Sequence, residues 1–116
     1  MARASTTSDV FNAIAEPQRR QIIELLSRRP GIAVGTIVLV LGLRQPAVSK
    51  HLGVLRAVGI VSVRKKGKSR LYDLNRDQLQ PVQDWVKTLE RHWESQLDRI
   101  RERAERRAAA SANPPG

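Results

Sequence analysis

The segment at residues 45–59 constrains the fold of this 116-residue chain more than any other part of the sequence. Proline is favoured in the first turn of a helix and glycine just past its end, so Pro46 and Gly59 predict a helix between them. The apolar residues of the segment recur at intervals of four, three and three, on one helical face: Val48, Leu52, Leu55 and Val58. The helix is therefore expected to bury that face and to present a polar face to solvent or to a partner.

A basic hairpin is predicted directly after this helix. Residues 60–63 alternate as a short strand and residues 71–74 return as a second one, with Gly67 in the turn. Between the strands, residues 64–70 carry five positive charges and no acid. Such a run on its own is as easily a solvated turn, but after a helix with a polar face, contact with phosphates or a minor groove is the favoured interpretation.

Three short helices are predicted before the segment. The first starts near Thr7 or Ser8, and the second runs from Pro17 to about Arg29, where Pro30 and a glycine end it. The stretch at residues 32–43 is open to two interpretations, because its β-branched run also suits a buried strand. A short helix over about residues 35–41 is favoured, since a glycine follows where a helix C-cap is expected.

A long last helix is predicted from about residue 76 to residue 107. Its apolar stripe repeats every three to four residues: Leu79, Val82, Trp85 or Val86, Leu89, Trp93, Leu97 and Ile100. Such a helix is about 48 Å long, and a domain this small cannot cover the whole stripe, so a second subunit is its expected cover. The domain thus spans residues 8–107, and residues 1–7 and 108–116 are expected to be disordered.

Composition narrows the possible functions. Lys and Arg number 21 against 11 Asp and Glu, and this net charge of +10 favours a polyanionic partner. The lack of cysteine excludes disulfides, thiolate zinc sites and a cysteine nucleophile. Four aromatic residues are too few for the stacking platforms of single-strand binders. The longest apolar run has five residues, whereas a membrane span needs about 20, and the N-terminus lacks the apolar core of a secretory signal.

The order of elements predicts a mainly α fold with a small β-hairpin, a winged helix-turn-helix. Residues 9 to about 100 resemble the ArsR-type winged-helix transcriptional repressors. Three motifs carry the resemblance: FNAIAEPQRRQIIELL at 11–26, LRQPAVSKHLGVLRAVGIV at 43–61 and RKKGKSRLYDL at 64–74. The resemblance implies a homodimer through the first and last helices, and repression by blocking a promoter, often the protein's own.

The sequence departs from the metal-sensing members of that family. Ala33, Gly35 and Thr36 occupy the positions of the cysteine pair and its accompanying acid. The last helix has only His92, with Ser95 three residues on, so the second known kind of zinc site is missing as well. The chain therefore resembles the non-metal-sensing members, and neither a metal nor a cofactor is predicted.

The expected function is that of a sequence-specific regulator, a repressor or autorepressor, which binds double-stranded DNA as a dimer and works in the cytoplasm on the nucleoid. Two alternatives stay open: a non-specific architectural DNA binder, and a protein-interaction module that uses the last helix and an apolar patch at Leu39. No membrane partner and no enzyme activity are expected, and an effector cannot be named.

Three sets of site residues are predicted. The recognition-helix set for DNA is Arg44, Gln45, Ser49, Lys50, His51 and Arg56. The hairpin set for DNA is Arg64, Lys65, Lys66, Lys68 and Arg70. The dimer-interface set is Val10, Phe11, Ile14, Trp85, Leu89, Trp93 and Leu97. Phosphate contacts position a protein on DNA and base contacts specify the sequence, so the hairpin is expected to position and the helix to specify.

Overall fold

The computed structural model of the chain describes residues 7–112. Five helices and one hairpin follow each other in the predicted order: α1 Thr7–Ile14, α2 Pro17–Arg28, α3 Val34–Leu41, α4 Gln45–Ala57, β1 Val61–Lys66, β2 Ser69–Leu74 and α5 Gln80–Ala112, with a 3-10 turn at Arg76–Leu79 before α5. These elements confirm the predicted mainly helical fold with a two-stranded antiparallel hairpin. The described residues form two compact units, one ending at Val82 and the other starting at Gln83.

Local sequence signals set the bounds of the short helices. Pro17 stands in the first turn of α2, and the Glu16 carboxylate caps that helix by accepting the backbone N–H groups of Gln18 and Arg19 at 2.7 and 3.1 Å. The open interpretation of residues 32–43 is settled in favour of a helix, which starts at Val34. It ends at Gly42, whose positive φ of 64° is a conformation that glycine adopts without steric cost.

The core of the first unit lies where the apolar faces of α1 to α4 meet the hairpin. The residues of this core are at most 3% exposed: Val10, Ala13, Ile22, Leu25, Leu26, Ile37, Val48, Leu52, Leu55, Ile60 and Val61. Three of them are apolar residues from the predicted stripe of α4, so that stripe faces inward as expected. Burial of one such side chain is worth about 1.5–3 kcal/mol, and the packed stripe holds α4 with its other face outward.

The hairpin is longer and its turn tighter than predicted. The strands pair from Val61 with Leu74 to Lys66 with Ser69, which leaves a two-residue turn in which Gly67 has a φ of 61°. Most of the basic residues therefore lie on strands and not in a loop. The charged side chains are exposed and the backbone ladder does not depend on them, so the strands continue through the charged run.

The last helix also continues further than predicted. Residues 108–112 belong to α5, because an alanine-rich end has a high helix propensity. Within the second unit, several large apolar side chains of α5 are about half exposed: Trp85, Trp93, Leu97 and Ile100.

Of the residues predicted to be disordered, 1–6 and 113–116 lie outside the described part of the chain, whereas Thr7 is helical. Among the described helices, none combines the length and the apolar character that crossing a bilayer requires.

Candidate nucleic-acid interface

The outward face of α4 carries most of the recognition-helix residues that the sequence predicts. Five of the six side chains are exposed: Arg44, Gln45, Ser49, Lys50 and Arg56. Arg44 is the N-cap of α4 and gives it no side-chain cap hydrogen bond, and the first turn holds no acidic residue. This end of the helix therefore keeps the positive end of its dipole beside the cationic side chain of Arg44, an arrangement that favours an anionic partner.

His51 does not lie on that outward face. Its side chain is only 12% exposed and lies against α2. Nε2 is 3.0 Å from Oε1 of Gln18, and Nδ1 is 3.4 Å from Nη1 of Arg19. The prediction that His51 reaches a base edge needs a ring that points outward, and the structure instead places this ring between two helices. The reason is its position three residues after Val48, which puts it on the flank of the buried face.

Four cationic side chains of the hairpin are exposed to solvent: Lys65, Lys66, Lys68 and Arg70. The fifth, Arg64, is also exposed but forms an ion pair with Asp73, with 2.8 Å between Nε and Oδ2. Its guanidinium also lies beside Gly31, where a Cβ would come within 2.5 Å of Nη2. Arg64 therefore contacts its own protein, and the hairpin presents the other four cations to solvent.

A basic cleft of about 240 Å³ lies between the end of α4 and the hairpin. Its lining consists of Arg56 from α4 together with Val63, Arg64, Lys65 and Arg70 from the two strands. Lys65 and Arg70 are paired across the strands and therefore project to one face of the hairpin. The cleft brings cations of the predicted helix set and hairpin set together, in a form suited to a phosphate group.

The predicted dimer-interface residues fall into two groups. Val10 is only 3% exposed and packs in the core of its own unit, so it supports α1 from within and has little surface left for a partner. Phe11 and Ile14 are half-buried on α1. On α5, Leu89 is half-buried, and the remaining predicted residues are exposed: Trp85, Trp93 and Leu97.

The polar cluster at the start of α2 was missed by the sequence analysis. Glu16 caps the N-terminal end of α2, and the side chains of Gln18 and Arg19 contact the imidazole of His51. An acidic residue directly before the helix-starting Pro17 is a capping signal that could have identified the first of them. In the part of the chain that the structure describes, no three His, Asp or Glu side chains are grouped as a metal site would need.

Comparison with known proteins relates this surface to one family. The family model "Bacterial regulatory protein, arsR family" matches residues 16–63, from the cap of α2 into β1. The transcriptional repressor SdpR of Bacillus subtilis is 33% identical over 68% of this chain and 87% of its own length. The biofilm growth-associated repressor of Agrobacterium fabrum is 35% identical over 65% of this chain and 63% of its own. A solved ArsR family transcriptional regulator is 26% identical, with a TM-score of 0.63 over 75% of this chain and 94% of that one.

Proposed function

This chain belongs to the ArsR family of bacterial regulatory proteins and is a DNA-binding transcriptional regulator, and from that premise we propose that it is a homodimeric repressor of a palindromic operator. Each subunit places α4 in a major groove of double-stranded DNA and the hairpin on the flanking backbone. The observation that carries the proposal is the continuity of the polar outward face of α4 with the basic cleft beside the hairpin.

The residues of the surface divide between two tasks. Gln45, Ser49 and Lys50 contact base edges, since glutamine suits adenine, lysine suits guanine and serine is permissive. Arg56 contacts phosphate from the cleft, together with the exposed cations of the hairpin. Arg44, at the start of α4, contacts phosphate as well. Arginine and lysine on phosphates position the protein without regard to sequence.

The second copy of the chain covers the apolar side chains of α5. Trp93, Leu97 and Ile100 are each more than half exposed, which is a large apolar surface for one helix to leave in water. The charges of α5 are also divided along its length. Residues 84–98 carry four acidic and two basic side chains, whereas residues 99–107 carry two acidic and five basic ones. A second α5 that runs antiparallel would bring unlike charges together.

The half-buried apolar residues of α1, Phe11 and Ile14, form the second part of the dimer interface. A groove of about 210 Å³ beside Ile14 is lined by Ile23, Leu79 and Val82, with Arg20 and Glu24 at its edge. This groove extends the apolar surface of α1 over α2 and the start of α5, so a second copy would find a continuous apolar strip there.

Repression is the regulatory effect that the relatives support, because SdpR and the Agrobacterium fabrum protein are both named as repressors. A dimer seated on a promoter blocks access to it, and this needs neither a cofactor nor catalysis by the protein. Its place of work is the cytoplasm, on the nucleoid. The proposal includes no thiolate metal sensing, because the sequence has no cysteine.

Capture of fragmented DNA from the source genome tests the proposal. Purified protein is incubated with the fragments at about 150 mM salt, which screens weak surface contacts, and the retained DNA is sequenced in the presence of excess bulk DNA. We expect enrichment of a short imperfect palindrome in a promoter. Uniform retention of fragments from across the genome would indicate an architectural DNA binder. Retention of no DNA would indicate a protein-interaction module. Either result would contradict the proposal.

A further inference from the structure

His51 is held from two sides within the first unit. Its Nε2 lies 3.0 Å from Oε1 of Gln18, and its Nδ1 lies 3.4 Å from Nη1 of Arg19. The Glu16 carboxylate is 3.8 Å from Nε2. The whole side chain is 12% exposed, so the imidazole is nearly enclosed between α4 and the first turn of α2.

Arg19 extends this contact to α1. Its Nε donates to the carbonyl oxygen of Ala13 at 2.5 Å, and its Nη2 donates to that of Asn12 at 3.4 Å. These carbonyls are at the end of α1, where the Asn12 carbonyl also accepts from the backbone N–H of Ala15 at 3.2 Å. A single guanidinium therefore connects the end of α1 to the imidazole on α4.

The donors and acceptors of the cluster select one tautomer of the neutral imidazole. A guanidinium can only donate, so Nδ1 of His51 must accept from Arg19. A neutral ring then carries its proton on Nε2, from which it donates to Oε1 of Gln18. Both ring nitrogens are thus engaged inside the protein, and no ring nitrogen remains for a base.

We propose that His51 is a positioning residue for DNA recognition, which fixes the rotation of α4 on α2 through Gln18 and Arg19 and contacts no base. The inference rests on the proposed function of α4. The apolar stripe decides which face of α4 is buried, but the hydrophobic effect depends on area and not on angle, so it leaves the exact rotation of the helix loosely set. Hydrogen bonds are directional, so the cluster holds α4 at the one rotation in which its outward face fits the groove.

Loss of the cluster should weaken binding by lowering the fraction of protein whose α4 is correctly oriented. The apparent dissociation constant is the intrinsic one divided by that fraction. A fraction of one tenth would raise the dissociation constant for the operator tenfold, which corresponds to about 1.4 kcal/mol. The preferred base sequence would stay the same, because the side chains that touch the bases are unchanged.

The test compares His51→Leu, His51→Gln, Arg19→Met and the His51→Leu/Arg19→Met double variant in the full chain. Affinity is measured for the captured operator and for a scrambled duplex, and the preferred sequence is determined by selection from random duplexes. Unfolding in urea shows that each variant is folded. Glutamine has a donor and an acceptor, so it can restore contacts that leucine cannot make.

We expect His51→Leu to bind the operator roughly tenfold more weakly, with an unchanged preferred sequence and unchanged affinity for the scrambled duplex. His51→Gln should recover most of the loss. The double variant should be no weaker than the weaker single variant, since residues in one network do not act additively. Lys50→Ala is the matched control on the outward face, and it should change the preferred sequence at one base position.

Four results would overturn the inference alone. They are an altered preferred sequence in His51→Leu, an unaltered operator affinity in His51→Leu, equal losses in His51→Gln and His51→Leu, and additive losses in the double variant. If His51→Leu fails to fold, Arg19→Met takes its place as the variant without the cluster, and its affinity and preferred sequence are compared with those of His51→Gln and the wild type. A wild-type protein without any preferred sequence would instead overturn the proposed function, and this inference with it.

Discussion

Two exposed lysines on the candidate interface differ in what surrounds them, and this difference predicts their effects. Lys50 lies on the outward face of α4, whereas Lys66 ends β1 beside the hairpin turn. Lys50→Ala should cost about 1–3 kcal/mol on the operator and relax specificity at one base position. Lys66→Ala should weaken all duplexes about equally and reduce the slope of affinity against salt by about 1.

Titration of operator and scrambled duplexes over a range of salt concentrations measures both effects. Ala57, at the end of α4, offers a neutral control when changed to serine, because it is exposed and carries no charge to lose. Similar behaviour of the two lysine variants on the two duplexes would contradict the division between specifying and positioning residues.

Arg64 shows why counting charges in the sequence overstates the number of cations available to DNA. The Arg64 side chain lies diagonally across the hairpin from Asp73, two positions from its direct partner Leu71, which is within reach of a long side chain. An exposed pair of this kind contributes little to stability, about 0.2–1 kcal/mol. Its consequence is geometric, because it directs one of the five hairpin charges towards the hairpin itself.

At the scale of single elements, the cap of α2 matters because the same residues contact α4. Glu16→Ala removes the acceptor for two backbone N–H groups and should lower the free energy of unfolding by about 0.5–2 kcal/mol. Urea unfolding followed by far-ultraviolet circular dichroism measures this loss. Glu24→Ala is the matched control, since Glu24 is an exposed glutamate in the middle of the same helix and should change stability by less. An equal loss in both variants would show that the cap contributes nothing.

The sequence could predict most elements, since periodicity and the residues at helix ends determine them. Pro17, Pro46 and Gly42 mark bounds that the structure reproduces within about one residue. The strand ends were less predictable, because charged residues such as Lys66 have weak strand preference and the pairing partner decides their conformation.

Side-chain direction was the less predictable part of the site. Helical spacing separates a buried face from an exposed one, but residues on the flank, such as His51, take their direction from a neighbouring helix. The partner of Arg64 likewise depends on the register of the hairpin, which the turn length sets. Both residues were predicted to contact DNA from charge and position alone, and both have partners within the protein.

At the scale of the whole molecule, the proposed reading of two half-sites depends on a second copy of the chain. Trp93→Ala removes the largest side chain in the middle of the α5 stripe and should weaken the dimer by at least about 2 kcal/mol, roughly 30-fold in its dissociation constant. Sedimentation equilibrium measures that constant. Arg91→Ala is the control, because two residues along a helix turn a side chain away from the stripe. A monomeric wild-type protein, or equal dissociation constants for both variants, would contradict the proposed interface.

The most direct test of the account is a footprint of the wild-type protein on its captured operator, made with a reagent that modifies the major-groove edges of bases. Two copies of α4 on one dimer predict two protected segments on one face of the duplex, with centres about 34–36 Å apart, or one helical turn. The hairpins predict protection of the phosphates that flank each segment. A single protected segment, or uniform protection along the duplex, would contradict a dimer that reads two half-sites with α4.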